Sequence, residues 1–311
     1  MGPSPPDKGE VSHNQGRMMY QQVLSLFQMF PWSVATGVIV AACCAVLGVF
    51  VILRRVVFIG ITLSEVAACG IAAAMVLGVP PFVGAATLTL AAVVLLAQPF
   101  EVQNIPRDAL LGVIFVAAGA GSVMLVSQSG FGLHEVKMLL YGDLILASRT
   151  DFALIAAALV PVLCFVLLCL RPILYSFMDR EVARTMGLRV RLWELAFFAG
   201  LGLAVSAASK VAGTLLVFCY LVVAPAAALL LIRRLGWVLI LAVAVGVSST
   251  LSGVLWSFSK DLPTNQTISL VMCMMFALAL LLHWILWGLQ LKHRPTVASE
   301  VELEGRKNGS A

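Results

Sequence analysis

The sequence has few charged residues for its length. Of its 311 residues, 20 are Lys or Arg and 15 are Asp or Glu, a charged fraction of 11%, whereas soluble domains contain about 25%. Apolar residues make up 61%. A soluble protein of this size could not bury so much apolar surface. The composition therefore excludes an ordinary soluble enzyme and predicts a protein with many membrane spans.

The sequence also lacks the common catalytic and metal-binding motifs. It contains no GxxxxGK[ST] phosphate loop, no HExxH and no GxSxG. Its seven cysteines form no CxxC pair, and its four histidines are scattered, so neither a disulfide framework nor a zinc cage is expected. The net charge of +5 is spread without a basic stripe, which argues against a nucleic-acid partner. We expect no active site and no cofactor on this chain.

Long apolar segments cover most of the chain. A spanning helix needs about 20 apolar residues, and nine segments approach this: 32–53, 56–78, 82–99, 109–127, 152–170, 192–210, 211–232, 236–258 and 267–290. The sixth is the weakest, because only 195–209 is free of charge. The pattern predicts an all-α polytopic membrane protein, a bundle of about eight or nine transmembrane helices. This membrane domain, 30–290, lies between polar tails at 1–29 and 291–311.

The distribution of Lys and Arg predicts the orientation in the membrane. Short loops rich in these residues stay in the cytoplasm, and the loop 171–191 lies on the richer side. We therefore expect this loop and the C-terminus inside, and the loop 128–151 and the N-terminus outside. The predicted location is the plasma (inner) membrane, with lipid around the bundle.

Glu65 is the one acidic residue deep inside a predicted span. A carboxyl group at this depth costs several kcal/mol unless it faces protein or water. It adjoins a row of small residues that lets another helix approach closely, namely Gly60, Ser64, Ala68 and Ala72. We expect Ser64, Glu65 and Cys69 to face a helix interface or a cavity. They form either a cation or proton site in a translocation path, or a packing site with a protonated Glu65.

Two further segments have predicted roles. Pro225 lies inside the seventh span, where proline kinks a helix, and the kink is compatible with a gate and with plain packing.

The loop 171–191 is predicted to form a short amphipathic helix. Ser176 would cap its start, and Gly187 would end it in the left-handed conformation. This helix is either a solvated surface element or a docking element for a soluble partner. The tripeptide 265–267 matches a glycosylation pattern, which occurs by chance as readily as by design.

Five segments occur together, and in this order, in a family of membrane transporters. The chain resembles the integral-membrane permeases of ABC importers for zinc, manganese and iron(II) over about residues 30–290. The segments that resemble the family are VFVILRRVVFIGITLSE (49–65), LLYGDLILAS (139–148), MDREVARTMGLRV (178–190), VAGTLLVFCYLVVAPAAALLL (211–231) and DLPTNQTI (261–268).

The resemblance implies an ATP-driven import mechanism. Two copies of the permease form the pore, two separate ATPase subunits bind the cytoplasmic face and hydrolyse ATP, and an extracytoplasmic solute-binding protein delivers the ion. The helix at 179–187 would receive the ATPase subunit. The residues implied in this coupling are Asp179, Arg180, Glu181, Arg184 and Gly187.

The chain departs from the family pattern in the second span. The family motif is close to GDxxSHxxLPG, and here Ile61 stands at the aspartate position, Glu65 at the histidine position and Cys69 at the proline position. Histidine suits zinc, whereas carboxylate suits manganese or iron(II), so the metal stays open. The alternatives are an ABC permease of the same fold with a non-metal substrate, and a secondary transporter with Glu65 as its proton-coupling site.

Overall fold

The described part of the chain is a bundle of α-helices. The computed structural model describes residues 30–54, 56–97, 107–128, 142, 144–178, 180–187, 189–232, 234–260 and 262–292, and these ranges contain no strand. The helices are α1 (Pro31–Leu53), α2 (Val57–Leu77), α3 (Pro81–Ala97), α4 (Arg107–Gln128), α5 (Arg149–Leu168), α6 (Leu170–Met178), α7 (Arg180–Thr185), α8 (Val190–Leu231), α9 (Leu235–Lys260) and α10 (Thr264–Lys292). A 3₁₀ turn, Leu144–Leu146, precedes α5. The predicted tail 1–29, and the predicted tail 291–311 beyond Lys292, lie outside the described residues.

The prediction of a polytopic membrane protein is confirmed. Six helices are long and apolar enough to cross a membrane, namely α1, α2, α5, α8, α9 and the part Thr264–Ile285 of α10. Two shorter apolar helical segments, Pro81–Leu96 and Leu111–Val126, belong to α3 and α4. Each of the nine predicted spans coincides with a helical segment, and α8 accounts for two of them.

The 42 residues of α8 form two antiparallel halves. Gly213 has non-helical dihedrals, with φ 70° and ψ 165°, and interrupts the helix. Phe197, before the interruption, packs its ring 5.9 Å from that of Phe50 in α1, and Leu221, after it, packs against Gly48 of the same helix. In a straight helix Phe197 and Leu221 would be about 36 Å apart. The chain therefore turns back at Gly213, and both halves pass the same stretch of α1.

Small residues set the close packing of the inner helices. A Cβ atom built on Gly48 would collide with the backbone carbonyl of Leu221, so α1 and the second half of α8 touch through their backbones. A Cβ atom on Gly70 of α2 would lie 2.5 Å from the carbonyl oxygen of Gly84 in α3. Such backbone contact requires residues without side chains. The packing fixes α2 against α3 on one side and leaves another side of α2 for α4, which packs mainly against α2.

An ion pair joins the start of α5 to the end of the first half of α8. Ser148 caps α5 in a reciprocal capping box with Asp151. Lys210 Nζ lies 2.6 Å from Asp151 Oδ1. Lys210, which bounds the charge-free stretch 195–209 of the sixth predicted span on one side, is therefore neutralised by a carboxylate in the first turn of a neighbouring helix.

Candidate ion site between α2 and α4

The Glu65 carboxyl lies in the interface between α2 and α4. The residue is 9% exposed, and a Cβ atom built on Gly119 of α4 would lie 3.1 Å from Glu65 Oε1. Among the described residues, no side chain forms a hydrogen bond with this carboxyl group. A carboxyl group without such a partner is costly inside a membrane. Its role, in a translocation path or in packing, stays a prediction.

Cys69 lies one helical turn after Glu65 and faces the same neighbouring helix. A Cβ atom on Gly121 of α4 would lie 3.4 Å from Cys69 Sγ. The carboxyl and the thiol are thus placed side by side against two glycines of α4, Gly119 and Gly121. These glycines provide space beside both groups, because no side chain projects from their positions.

Ser64 does not join this pair. Its side chain is fully buried, and its hydroxyl donates a hydrogen bond to the carbonyl oxygen of Gly60 at 3.0 Å, within α2 itself. Gly60 begins the same row of small residues and faces Leu221 of α8, whose Cδ1 lies 3.5 Å from the ideal Cβ position. Of the three residues predicted to act together, the structure brings Glu65 and Cys69 against α4 and leaves Ser64 on the neighbouring row.

The site contains few protein ligands for an ion. In the part of the chain that the structure describes, no three His, Cys, Asp or Glu side chains come close enough to hold a metal ion. The donors at this point are one carboxyl group and one thiol. Such a pair is suited to transient contact with a passing ion rather than to permanent binding in a closed, four-coordinate structural site.

A second group of residues packs against the turn at Gly213 and forms hydrogen bonds with its backbone. A Cβ atom on Gly142 would lie 2.5 Å from the carbonyl oxygen of Val211, so this residue lies directly on the backbone of the turn. Asn265, at the start of α10, donates from Nδ2 to the carbonyl oxygen of Ala212 at 3.0 Å. The Leu144 amide donates to Asn265 Oδ1 at 3.4 Å. One buried side chain thus connects the segment before α5, the turn in α8 and the start of α10.

Asn265 and Gly213 were not identified as functional candidates from the sequence. Asn265 appeared only within the glycosylation pattern and the family-like segment 261–268. Its 4% exposure excludes a sugar at this position because an acceptor asparagine must be accessible. Gly213 was detectable, since it lies close to the boundary between the sixth and seventh predicted spans.

The predicted kink at Pro225 does not coincide with the interruption of α8. Pro225 is buried in the second half of α8, where the backbone keeps helical dihedrals, and the only non-helical residue within the helix is Gly213. The role of Pro225 as a gate therefore remains a prediction. The interruption at Gly213 lies instead close to the predicted boundary between the sixth and seventh spans.

The predicted coupling helix is divided into two short helices, α6 and α7. Ser176 does not cap the second of these: it lies inside α6 and is fully buried. Gly187 follows α7 with φ 75°, the left-handed conformation expected of it. Glu181 is exposed. Asp179 and the side chains of Arg180 and Arg184 lie outside the described residues.

Comparison with known proteins relates the chain to bacterial transport systems. The sequence profile of the ABC 3 transport family matches residues 26–283. The manganese transport system membrane protein MntC of Halalkalibacterium halodurans is 29% identical over 261 residues, which is 84% of this chain and 89% of the relative. The chelated iron transport system membrane protein YfeC of Yersinia pestis is 28% identical over 240 residues, covering 76% and 81%.

Two solved structures have the same fold. PsaBC from Streptococcus pneumoniae, in complex with Fab, matches with a TM-score of 0.76 and 20% identity, and the match covers 84% of this chain and 95% of that one. A metal-chelate type ABC transporter in an inward-facing conformation matches with a TM-score of 0.65 and 18% identity, covering 86% and 89%.

Proposed function

The chain belongs to the ABC 3 transport family, and on this premise we propose that it is the membrane-spanning permease subunit of an ATP-driven importer of a divalent metal ion. It is a multi-pass protein of the inner (plasma) membrane and a transporter subunit. The relatives that support a metal substrate are named for manganese and chelated iron transport. The cargo is the substrate of the transporter, and ATP hydrolysis takes place on a separate ATPase subunit.

The observation that supports this proposal most is the position of Glu65. A carboxyl group is placed in a membrane helix beside Gly119, with the Cys69 thiol beside Gly121, and no described side chain forms a hydrogen bond that would hold the carboxyl in place. A carboxylate in this position attracts a cation and offers it an oxygen ligand. No third His, Cys, Asp or Glu among the described residues joins Glu65 and Cys69, which leaves the remaining coordination positions of the ion to water or to other oxygen atoms.

The carboxylate of Glu65 favours manganese or iron(II), because it is a hard oxygen ligand of the kind that Mn²⁺ in particular prefers, whereas histidine suits zinc. The thiol of Cys69 is a softer donor that suits zinc and iron(II) better than Mn²⁺. The relatives named for manganese and chelated iron transport support the first two metals. We therefore propose Mn²⁺ or Fe²⁺ as the principal cargo, with Zn²⁺ third.

The ATPase subunit is proposed to dock at α7. This short helix exposes Glu181 and Val182, and Met186 follows it at 59% exposure. Ala183, between them, is fully buried and anchors the helix to the bundle. An exposed surface of mixed polarity on a firmly attached short helix is suited to a protein partner. Asp179, Arg180, Arg184 and Gly187 complete the proposed docking segment.

The remaining proposed partners are a second copy of the chain and an extracytoplasmic solute-binding protein. Among the described residues, α4 packs mainly against α2. Its opposite side exposes Val113 at 66% and Val116 at 65%. We propose that a second copy approaches here, which would bring two Glu65 sites close to one central pore.

The test is the metal content of cells grown in metal-limited medium, with Mn, Fe and Zn measured in the same samples. The strains express wild type, Glu65→Gln, Glu65→Asp or no protein, and the amount of each variant in the membrane is measured alongside. We expect one metal to fall selectively without the protein. Glu65→Gln should lower its uptake about tenfold or more, as expected for the loss of an interaction with a charged group worth ~1.5 kcal/mol. Glu65→Asp, which keeps the charge, should retain part of the uptake.

Two results would contradict the proposal. Unchanged Mn, Fe and Zn in the absence of the protein would favour the permease with a non-metal substrate. An equal loss of uptake and of membrane level in Glu65→Gln would mean that Glu65 stabilises the fold and does not contact the ion.

A further inference from the structure

Arg54 connects three helices at one end of the bundle. It follows the last residue of α1, and its Nη2 forms an ion pair with Glu194 Oε1 in the first half of α8. Its Nη1 donates to the carbonyl oxygens of Ser176, at 3.3 Å, and of Phe177, at 3.5 Å, in the last turn of α6. Its guanidinium carbon also lies 5.0 Å from the centroid of the Phe177 ring. A single side chain thus joins α1, α6 and α8.

These contacts depend on the shape of the guanidinium group. Its planar fork can pair with a carboxylate, donate to carbonyl groups and stack on a ring at the same time, which the single ammonium of lysine cannot do. The last carbonyls of α6 carry partial negative charge and lack partners within the helix. The Arg54 and Glu194 side chains are 13% and 18% exposed, so solvent screens this pair less than it screens a surface pair.

An aromatic cluster extends the connection into the bundle. The Phe177 and Phe197 rings pack edge to face with their centroids 5.0 Å apart. The Phe197 ring in turn packs against the Phe50 ring of α1, at a centroid distance of 5.9 Å. Close-packed interiors transmit displacement because they have low compressibility. A movement of the end of α6 must therefore move the first half of α8 and the end of α1 with it.

The end of α6 is also the attachment point of α7, which follows after one residue. We propose that Arg54 is a positioning residue that clamps the end of α6 to α1 and α8, so that a displacement of α7 by the ATPase subunit is transmitted to the helices of the membrane domain. This inference rests on the proposed docking of an ATPase subunit at α7. Glu194 is the partner through which the clamp acts on α8.

The test uses the complete transporter, with its ATPase subunit and solute-binding protein, in proteoliposomes. ATP hydrolysis and uptake of radioactive Mn²⁺ are measured in the same preparation for wild type, Arg54→Gln, Arg54→Lys and Glu194→Gln. In Arg54→Gln we expect the ATPase subunit to stay bound. The number of ATP molecules hydrolysed for each Mn²⁺ ion taken up should rise at least about fivefold, which is the lower end of the usual range of allosteric couplings. Arg54→Lys and Glu194→Gln should give smaller increases, because each keeps part of the contacts.

Arg191→Gln is the matched control. It removes the same charge from an exposed position in the first turn of α8, and we expect it to leave the ratio of hydrolysis to uptake unchanged. A proportional loss of hydrolysis and uptake in all three clamp variants, with the ATPase subunit still bound, would show a purely structural role and overturn the inference. Absence of the ATPase subunit from the wild-type preparation would overturn the proposed docking first, and this inference with it.

Discussion

The side-chain amide of Asn265 donates a hydrogen bond at 3.0 Å to the carbonyl oxygen of Ala212, the residue directly before the turn in α8. The interruption at Gly213 removes helical partners from nearby backbone groups, and an unpaired carbonyl in a membrane domain is costly. Asn265 supplies one such partner from another helix. The Oδ1 atom of Asn265 also accepts a hydrogen bond from the Leu144 backbone amide at 3.4 Å. This side chain therefore holds the turn, α10 and the segment before α5 together.

We expect Asn265→Ala to destabilise the protein. The substitution leaves the Ala212 carbonyl and the Leu144 amide without this partner, and an unsatisfied buried group costs about 1–3 kcal/mol. The measurement is the midpoint of thermal unfolding of the purified protein in detergent, which should fall by several degrees. Gln266→Ala is the control. It also removes a side-chain amide, but the Gln266 side chain forms no hydrogen bond with any described residue. An equal shift in both variants would contradict the assigned role.

Transport should be sensitive to a single methyl group opposite Glu65. Gly119→Ala would place a Cβ atom 3.1 Å from Glu65 Oε1, which forces the carboxyl group to shift and occupies the space beside it. We expect metal uptake to fall severalfold while the amount of protein in the membrane stays the same.

Gly112→Ala in the same helix is the matched control for Gly119→Ala. Nothing lies within 4 Å of its Cβ position, and both substitutions change helix propensity alike. Uptake should be close to that of wild type. If the two alanine variants transport equally well, the space beside Glu65 is not part of the path.

Three glycines with positive φ should differ in their tolerance of alanine. Gly213, with φ 70° and ψ 165°, lies in a region that essentially only glycine adopts, at a cost of about 1–3 kcal/mol for other residues. Gly142 also has a positive φ, at 62°. An alanine in its place would in addition press its Cβ atom against the backbone of the turn. We expect Gly213→Ala and Gly142→Ala to lower the unfolding midpoint strongly and to reduce the amount of protein in the membrane.

Gly187→Ala provides the comparison. Its φ is also positive, at 75°, but its Cβ position is open, so only the backbone strain of about 1–2 kcal/mol remains. The loss of stability should be the smallest of the three. Equal losses would mean that the contact between Gly142 and the turn adds nothing to stability.

The positions of the helices could be predicted because their causes are local. Runs of about 20 apolar residues form spanning helices whatever surrounds them, and this identified each long apolar helix that the structure describes, including the two halves of α8, but not α6. The importance of Glu65 was predictable for the same reason, since a carboxyl group in an apolar helix is costly in any fold. The resemblance to a transporter family was likewise visible in short segments of the chain.

The neighbours of these residues could not be predicted, because they lie far away in the sequence. Nothing near Glu65 indicates that it faces Gly119, and nothing near Ser64 indicates that its row faces α8 instead. Ser176 resembled a helix cap by local pattern, yet it lies inside α6, whose last carbonyls are bound by Arg54 from α1. Such pairings depend on which surfaces fit once all helices pack together.

The sequence by itself determined that this protein is a helical membrane bundle with one acidic residue in its second span, because burial in lipid requires local hydrogen bonding and long apolar runs. The tertiary structure alone decided that Glu65 and Cys69 lie beside two glycines of α4, that α8 turns back at Gly213 under Asn265, and that Arg54 joins three helices. These relationships depend on contacts between segments up to 140 residues apart, and only the packed bundle brings such segments within a few ångströms of each other.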